Sequence, residues 1–258
     1  MRNTFRQCAL ATMIGIVAAS SALAQDVRVA LQTVLARLAP GGILPSDMVL
    51  TGQLTDASGT QPFRITIKGK DRMKYEVGTG SALITMTLSR GAGWREASGH
   101  VDVLQPYSAM QRPAVVPFFD LLAEASNSNL QITDRGLFLI GTLTSRRYTL
   151  RLPDPTPEIR LFRRALDEEI DLYTDPVSLL VVRTERWRMA ENSMDVRLRQ
   201  VAEFSDYRNV TGLAVPFHVV ETAVVSSRSQ FRTTYDVDNV TVNAGVDDSI
   251  FVAKEPRR

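Results

Sequence analysis

Through most of the chain, apolar residues recur at every second position, the period that sends alternate side chains to opposite faces of a β-strand. One segment near the N-terminus departs from it. In Asp26 to Leu38 (DVRVALQTVLARL), Val27, Leu31, Val34, Leu35 and Leu38 fall at helical spacing, and Pro40-Gly41-Gly42 follows as a stop. The pattern predicts one amphipathic helix whose apolar stripe packs on a core.

From Asp47 onward the reading is β. Met48, Leu50 and Leu54 alternate with smaller or polar residues, Asp56 to Gly59 is a turn, and Phe63, Ile65 and Ile67 alternate with Arg64, Thr66 and Lys68. A further turn at Gly69 to Asp71 leads to Met73, Tyr75 and Val77 on the next strand. Ala82 to Ser89 is apolar on both faces and predicts a more central strand. Gly91 to Arg95 is expected to end this meander.

Pro113 to Ala125 (PAVVPFFDLLAEA) is the most apolar connection and predicts a helix or lid. Strands are expected at Leu130 to Thr133, Leu137 to Thr144 and Arg147 to Leu152, with turns at Arg135-Gly136 and Ser145-Arg146. Pro153 to Pro157 (PDPTP) then breaks regular structure, and Glu158 to Glu169 is open between helix and loop. Glu169 to Tyr173 and Leu179 to Trp187 read as a hairpin through Thr174-Asp175-Pro176. Val196, Leu198, Ala202 and Phe204 share one strand face, and three long strands follow toward the C-terminus. Because the strands on both sides of the proline-rich break share one character, residues 25–258 are expected to form a single domain around one continuous antiparallel sheet.

The first 24 residues change what composition means. Arg2 and Arg6 precede the apolar run Ala9 to Ala19, and Ala22-Leu23-Ala24 is a small-x-small cleavage pattern, so residues 1–24 are expected to be a signal peptide and the protein periplasmic. Their removal takes two arginines and no acid, leaving 28 basic against 28 acidic residues and moving the net charge from +2 to zero. No nucleic-acid partner is implied. The one cysteine, Cys8, leaves with the leader, so the mature chain has neither disulfides nor thiol chemistry. Arginine outnumbers lysine 26 to 4. Either some guanidinium groups hold phosphates or carboxylates, or codon bias replaces lysine throughout.

Candidate chemistry is sparse. There is no Gly-x-Ser-x-Gly, P-loop or His-Glu-x-x-His pattern, and Gly78 and Gly80 lack the third glycine of a dinucleotide fingerprint. His218, flanked on its own face by Pro216 and Val220, suits a structural or cavity-lining role, and His100 a loop. Asp167-Glu168-Glu169-Asp171 could be a cation or catalytic cluster, or a solvated face. Asp247-Asp248-Ser249 reads as a turn or cap. Asn209 and Asn239 match the glycosylation pattern. No catalytic residue, metal site or cofactor is assigned, and a non-enzyme is expected.

The positive feature is apolar surface. A large sheet with one apolar face buries it against a single helix and one apolar loop, and an incompletely closed barrel leaves room for acyl chains. Met86, Trp94, Phe118, Phe119, Leu122, Phe138, Trp187 and Phe217 are the candidate lining residues, each alternatively plain core.

The ending carries a more specific signal. Ser205 to Arg208 (SDYR), Val210, Gly212-Leu213, Val215-Pro216-Phe217, the strand Tyr235 to Val242, Asn243 and Asp247 to Phe251 (DDSIF) resemble the "DYR.v.Gl.vPf…v.vN..vddslF" ending of the LolA/LolB-like lipoprotein-carrier superfamily. Asp175 to Leu179 resembles the "D..t.lp" hairpin of these proteins, and Leu143 to Leu150 their preceding strands. In this ending Gly212 suits the turn, Pro216 an edge or bulge, and Phe251 a plug at the core end. The resemblance implies a mainly β fold, a large antiparallel sheet curved into a half-barrel and closed by helices. It implies a carrier or chaperone for acyl chains of lipids or lipoproteins, expected as a monomer with peripheral membrane contact. An envelope-stress sensor or protein-interaction module on the same fold is the alternative, and a lipid or glycan hydrolase a third reading. No residue role is carried over, because the arginine that the carriers use at the cavity mouth has no assigned counterpart and Pro153 to Pro157 matches nothing in the pattern.

Overall fold

A computed structural model describes residues 27–42, 45–69, 71–90, 92–104, 115–117, 130–151, 169–190, 193–226 and 229–252. One helix, α1 (residues 27–38), precedes a single mixed-length antiparallel sheet. Its strands are β1 (Asp47–Asp56), β2 (Gly59–Lys68), β3 (Arg72–Val77), β4 (Ile84–Ser89), β5 (Ala92–Ala97), β6 (His100–Val103), β7 (Gln131–Ile140), β8 (Leu143–Arg151), β9 (Glu169–Thr174), β10 (Val181–Ala190), β11 (Ser193–Val210), β12 (Leu213–Ser226) and β13 (Ser229–Val242). The 13 strands run β6-β5-β4-β3-β2-β1-β13-β12-β11-β10-β9-β8-β7. Two meanders thus meet where the first strand pairs with the last, and the sheet stays open, with β6 and β7 as its edges. The result is a mainly β half-barrel, with the single continuous antiparallel sheet that the alternation predicts and the curvature that the family resemblance implies.

Directly opposed residues on paired strands project to the same face, so register identifies the two faces. Leu50, Ile65, Tyr75 and Met86 face one another across β1 to β4. Leu54, Tyr235, Val219 and Phe204 do so across β1, β13, β12 and β11. This is the core face. Leu31, Val34, Leu35 and Leu38, the helical stripe expected from spacing, belong to the same buried cluster. At about 25 cal/mol per Å² this burial is the main source of stability in a chain with no cross-links.

The two meanders approach closely at their seam. A Cβ on Gly52 would lie 2.0 Å from the carbonyl oxygen of Asp236 and 2.9 Å from the Cα of Val237. Only a residue without a side chain permits β1 and β13 to pair there, next to the register shift at Thr51/Gly52.

Several local expectations are corrected. Gly91 to Arg95 does not end the meander: Ala92–Ala97 and His100–Val103 are β5 and β6, joined by a turn in which Ser98 and Gly99 take positive φ of 50° and 80°. His100 therefore opens a strand. Leu137 to Thr144 is the tip of a hairpin, with Ile140 opposite Leu143, and Arg135-Gly136 is a bulge inside β7. There Gly136 has φ of 80° and its N–H donates to Asp134 Oδ1 at 2.8 Å. β4 begins at Ile84, after a 3-10 turn over Gly80–Ala82, and only its core-facing residues are apolar neighbours of the main cluster. The expected turn at Thr211-Gly212 is present, with φ of 49° and 89° and Val210 paired to Leu213. Pro216 pairs with Tyr207 of β11 but lies before the first β12–β13 pair at His218, a locally one-sided position that needs no second N–H bond. Residues 1–24, expected to be a leader, residues 113–114 and 118–125 of the apolar connection and Pro153 to Glu168 lie outside the described residues.

Candidate functional site

On the core face the sheet supplies the apolar floor and α1 one side of its cover. A second part of the cover comes from the connection between the two edge strands, where Val115 and Val116 are buried in the same cluster as Leu130. Arg28 Nη2 donates to the carbonyl of Leu130 at 2.8 Å, tying the helix to the start of β7. The floor is not uniformly apolar. Tyr75 and Tyr235 hydroxyls lie 3.4 Å apart, and Tyr235 Oη also reaches Glu221 Oε2 at 3.4 Å. Burial pushes both phenols well above their ordinary range, with the Glu221 carboxylate adding to the effect at Tyr235. Both tyrosines are therefore protonated and neutral at any physiological pH, and they place a polar point within an otherwise hydrocarbon surface.

The opposite, outer face differs between the two wings. Over β1 to β5 it carries the row Val49, Thr66, Lys74, Thr87 and Trp94, in which Val49, Thr66, Thr87 and Trp94 are buried. The C-terminal tail packs there, its Asp248–Phe251 turn lying on β3 and β4. The buried carboxylate of Asp47 accepts from Ala244 N at 2.6 Å and Val246 N at 3.4 Å. Lys68 Nζ reaches Val246 O at 2.5 Å and Asp248 at 2.5 Å, and Arg72 meets Asp248 at 2.7 Å. Lys68 and Arg72 hold the Asp248 carboxyl below its ordinary range. Phe251 is buried beneath the Arg72 guanidinium, 5.8 Å from its ring centre. The expectation that Phe251 plugs the core end is corrected: it closes the outer face. Asp247 caps the turn by accepting from Ser249 N at 2.7 Å, as its pattern suggests.

Over β7 to β11 the outer face is charged; among the described residues no other element packs on it, and Thr149, Tyr173, Glu185 and Val201 are buried among its own side chains. One row is Arg147, Tyr173, Arg183 and Glu203, and the next is Thr149, Asp171, Glu185 and Val201. Arg147 pairs with Asp171 at 2.6 Å, Arg183 with Glu185 at 2.6 Å and with Glu203 at 3.0 Å, and Arg199 with Glu185. The Arg147 and Arg183 guanidinium groups lie 5.8 and 5.9 Å from the Tyr173 ring centre, and their Nε–H groups are buried without a hydrogen-bond partner. This network borders a groove of about 670 Å³, and an adjoining cavity of about 440 Å³ is lined mainly by Ile140, Leu143, Leu180, Val182, Phe204 and Tyr207. The two share Ile140 and Arg183.

The sequence-proposed lining residues separate by face. Met86 and Phe217 lie on the core face, Phe217 under Arg208 at 4.2 Å. Trp94 lies on the outer face of the first wing, and Phe138 and Trp187, 41% and 51% exposed, border the outer groove. Phe118, Phe119 and Leu122 lie outside the described residues. His218 projects to the outer face opposite Ser205, 2.6 Å from Asp236, so a cavity-lining role for it is corrected. Of the acidic cluster, Glu169 and Asp171 border the groove; Asp171 is held by Arg147 and by Thr149 Oγ1 at 2.7 Å. Among the described residues no group of three or more His, Cys, Asp or Glu is arranged to hold a metal ion, and no helix is long and apolar enough to cross a membrane. The arginine network is not legible in the sequence because, apart from Arg183 with Glu185 two residues away, its pairs join different strands and depend on their register. The signal that could have shown it is the alternation of Arg147, Asp171, Arg183 and Glu185 on strands one register step apart.

No protein-family model matches the chain, and no curated protein matches it in sequence. Its fold is nevertheless found in solved structures. A Vibrio parahaemolyticus domain assigned to outer-membrane lipoprotein sorting is 10% identical, with a TM-score of 0.56 over 88% of this chain and 97% of that one. A DUF1329 family protein from Desulfovibrio piger is 12% identical, with a TM-score of 0.56 over the same shares. A LolA superfamily protein from Nitrosomonas europaea is 10% identical, with a TM-score of 0.54 over 86% of this chain and 97% of that one.

Proposed function

From a chain with the LolA-like fold, we propose a periplasmic carrier that shelters acyl chains of lipids or lipoproteins against the core face of the half-barrel. The observation that carries the reading is an open sheet whose apolar face is covered by one helix and one edge-to-edge connection. Among the described residues the cover consists of α1 and the Val115–Val116 part of the connection, neither of which is a strand of the sheet. An acyl chain entering between cover and floor exchanges one apolar contact for another, so each methylene removed from water still contributes about 0.8 kcal/mol. The assignment of a similarly folded Vibrio domain to lipoprotein sorting agrees with this use. Met86 and Phe217 are the lining residues the reading retains on the core face.

Binding by burial needs no catalytic group, which fits a non-enzymatic role, and export through the leader would place the protein beside its cargo. Titration of detergent-free protein with a fluorescent fatty acid is expected to show saturable binding. Met86→Gln, which places an amide in the hydrocarbon path, is expected to weaken it about tenfold. Absence of saturable binding to the wild-type protein would end the proposal.

A further inference from the structure

We propose that the outer groove over β7 to β11 is a second binding site, separate from the core face, and that its ligand is a saccharide. The groove has the volume of a small-molecule site, about 670 Å³. Its charges nearly cancel, with four arginines against Glu169, Asp171 and Glu185. Three of the cations are ion-paired, Arg147 with Asp171 and both Arg183 and Arg199 with Glu185, while Arg186 Nε donates to Gln200 Oε1 at 2.8 Å. A bare phosphate or carboxylate would meet a lining with only one more arginine than carboxylates and would compete with the carboxylates already paired to Arg147, Arg183 and Arg199.

A polyhydroxyl ligand meets different conditions. Ion-paired guanidinium and carboxylate groups have fixed orientations yet keep unused N–H donors and oxygen lone pairs. Alternating donors and acceptors of this kind suit the hydroxyls of a sugar, each of which donates one bond and accepts others. The Glu185 side chain is only 8% exposed and is pinned from two sides, making it a preorganised acceptor.

The apolar requirement is also met. Trp187 and Phe138 border the groove 51% and 41% exposed; Phe138 is held by an edge-to-face contact with Tyr173 and by Arg147 5.1 Å from its ring centre, yet keeps an aromatic surface in water. A pyranose ring presents a C–H face that stacks on such a surface while its hydroxyls reach the charged floor. The 440 Å³ cavity that shares Ile140 and Arg183 lies where an apolar substituent on the sugar would extend.

The chain holds two tryptophans, Trp94 and Trp187, so Trp94→Phe leaves Trp187 as the single reporter in the groove. This variant is titrated with maltotriose, with the β-linked trimer of N-acetylglucosamine, and with decanoate, while calorimetry follows the wild-type protein. Saturable change in Trp187 emission with a trisaccharide, and heat in the wild-type protein, is expected. Phe138→Ala at the exposed hairpin tip is expected to weaken it three- to tenfold, about one aromatic contact. Glu185→Gln, of nearly the same shape, is expected to weaken it about tenfold. No response to either trisaccharide overturns the proposal. So does a Trp187 response to decanoate alone, which would make the groove a lipid site. Met86→Gln, on the core face, is expected to weaken fatty-acid binding and to leave the trisaccharide response of Trp187 unchanged, so the carrier reading and this one fail separately.

Discussion

The outer face of the first wing and that of the second wing are built from the same backbone pattern and end in opposite states. Over β1 to β5, the row of threonines and one tryptophan is buried, and the returning C-terminal tail packs on β3 and β4, fastened by Asp47, Lys68 and Arg72. Over β7 to β11, arginines and carboxylates stand in opposed rows with exposed aromatics around them. A covered face carries its charges in pairs: Asp47, Lys68 and Arg72 hold the cover, and Lys74 is paired with Glu76 on its own strand at 2.9 Å. An uncovered face can carry a dense network because water and neighbouring charges share its solvation. The difference separates charges that hold the C-terminal tail in place from charges that pair with one another beside the groove, although all of them alternate identically in sequence.

The comparison can be broken most sharply at the seam between the wings. Gly52→Ala drives a methyl group into the Asp236 carbonyl, where backbone must move, and is expected to cost 3 kcal/mol or more, at about the upper end of overpacking. Urea denaturation measures it. On the covered face, Phe251→Ala removes a buried aromatic and is expected to cost about 3 kcal/mol, read in the same way. An effect below about 1 kcal/mol would mean that the tail contributes little to closing that face.

Smaller effects sharpen the picture. Asp47→Ala removes the acceptor of the Ala244 and Val246 N–H groups and is expected to cost about 2 kcal/mol while speeding proteolysis near the C-terminus. On the open face, Arg199→Ala, half of an exposed-side pair with Glu185, is expected to change stability by about 1 kcal/mol or less. The smallest effect is acid sensitivity of the tail. Lys68 and Arg72 lower the Asp248 carboxyl below 3.8, so its contribution is complete above that pH and is lost as pH falls through the lower folded value. Amide protection of residues 247–251 should decline in that acid window, and Asp248→Asn should remove this part of the decline.

Much of the architecture was legible. Helical spacing located α1, period-two alternation located the early strands, and the ending from Phe204 to Phe251 carried the family-like pattern whose fold the solved structures share. Errors arose where glycine was read as a stop. Gly93 lies inside β5 and Gly136 in a bulge, positions where a missing side chain bends or admits a neighbour without ending the strand. The site was less legible for a different reason. Alternation says that Trp94, Phe138, Trp187 and His218 share a face with their second neighbours, but it does not say which face receives the helix. That assignment depends on register across strands far apart in the chain, and the pairing of Arg199 with Glu185 or Asp47 with Ala244 depends on the same register.

Native mass spectrometry of protein exported, processed and purified without detergent tests the carrier claim most directly. The account predicts a population heavier than the mature polypeptide by the mass of a lipid or acylated peptide, released on denaturation. A single species at the mass of the bare polypeptide, unchanged after incubation with membrane lipid extract, would contradict it.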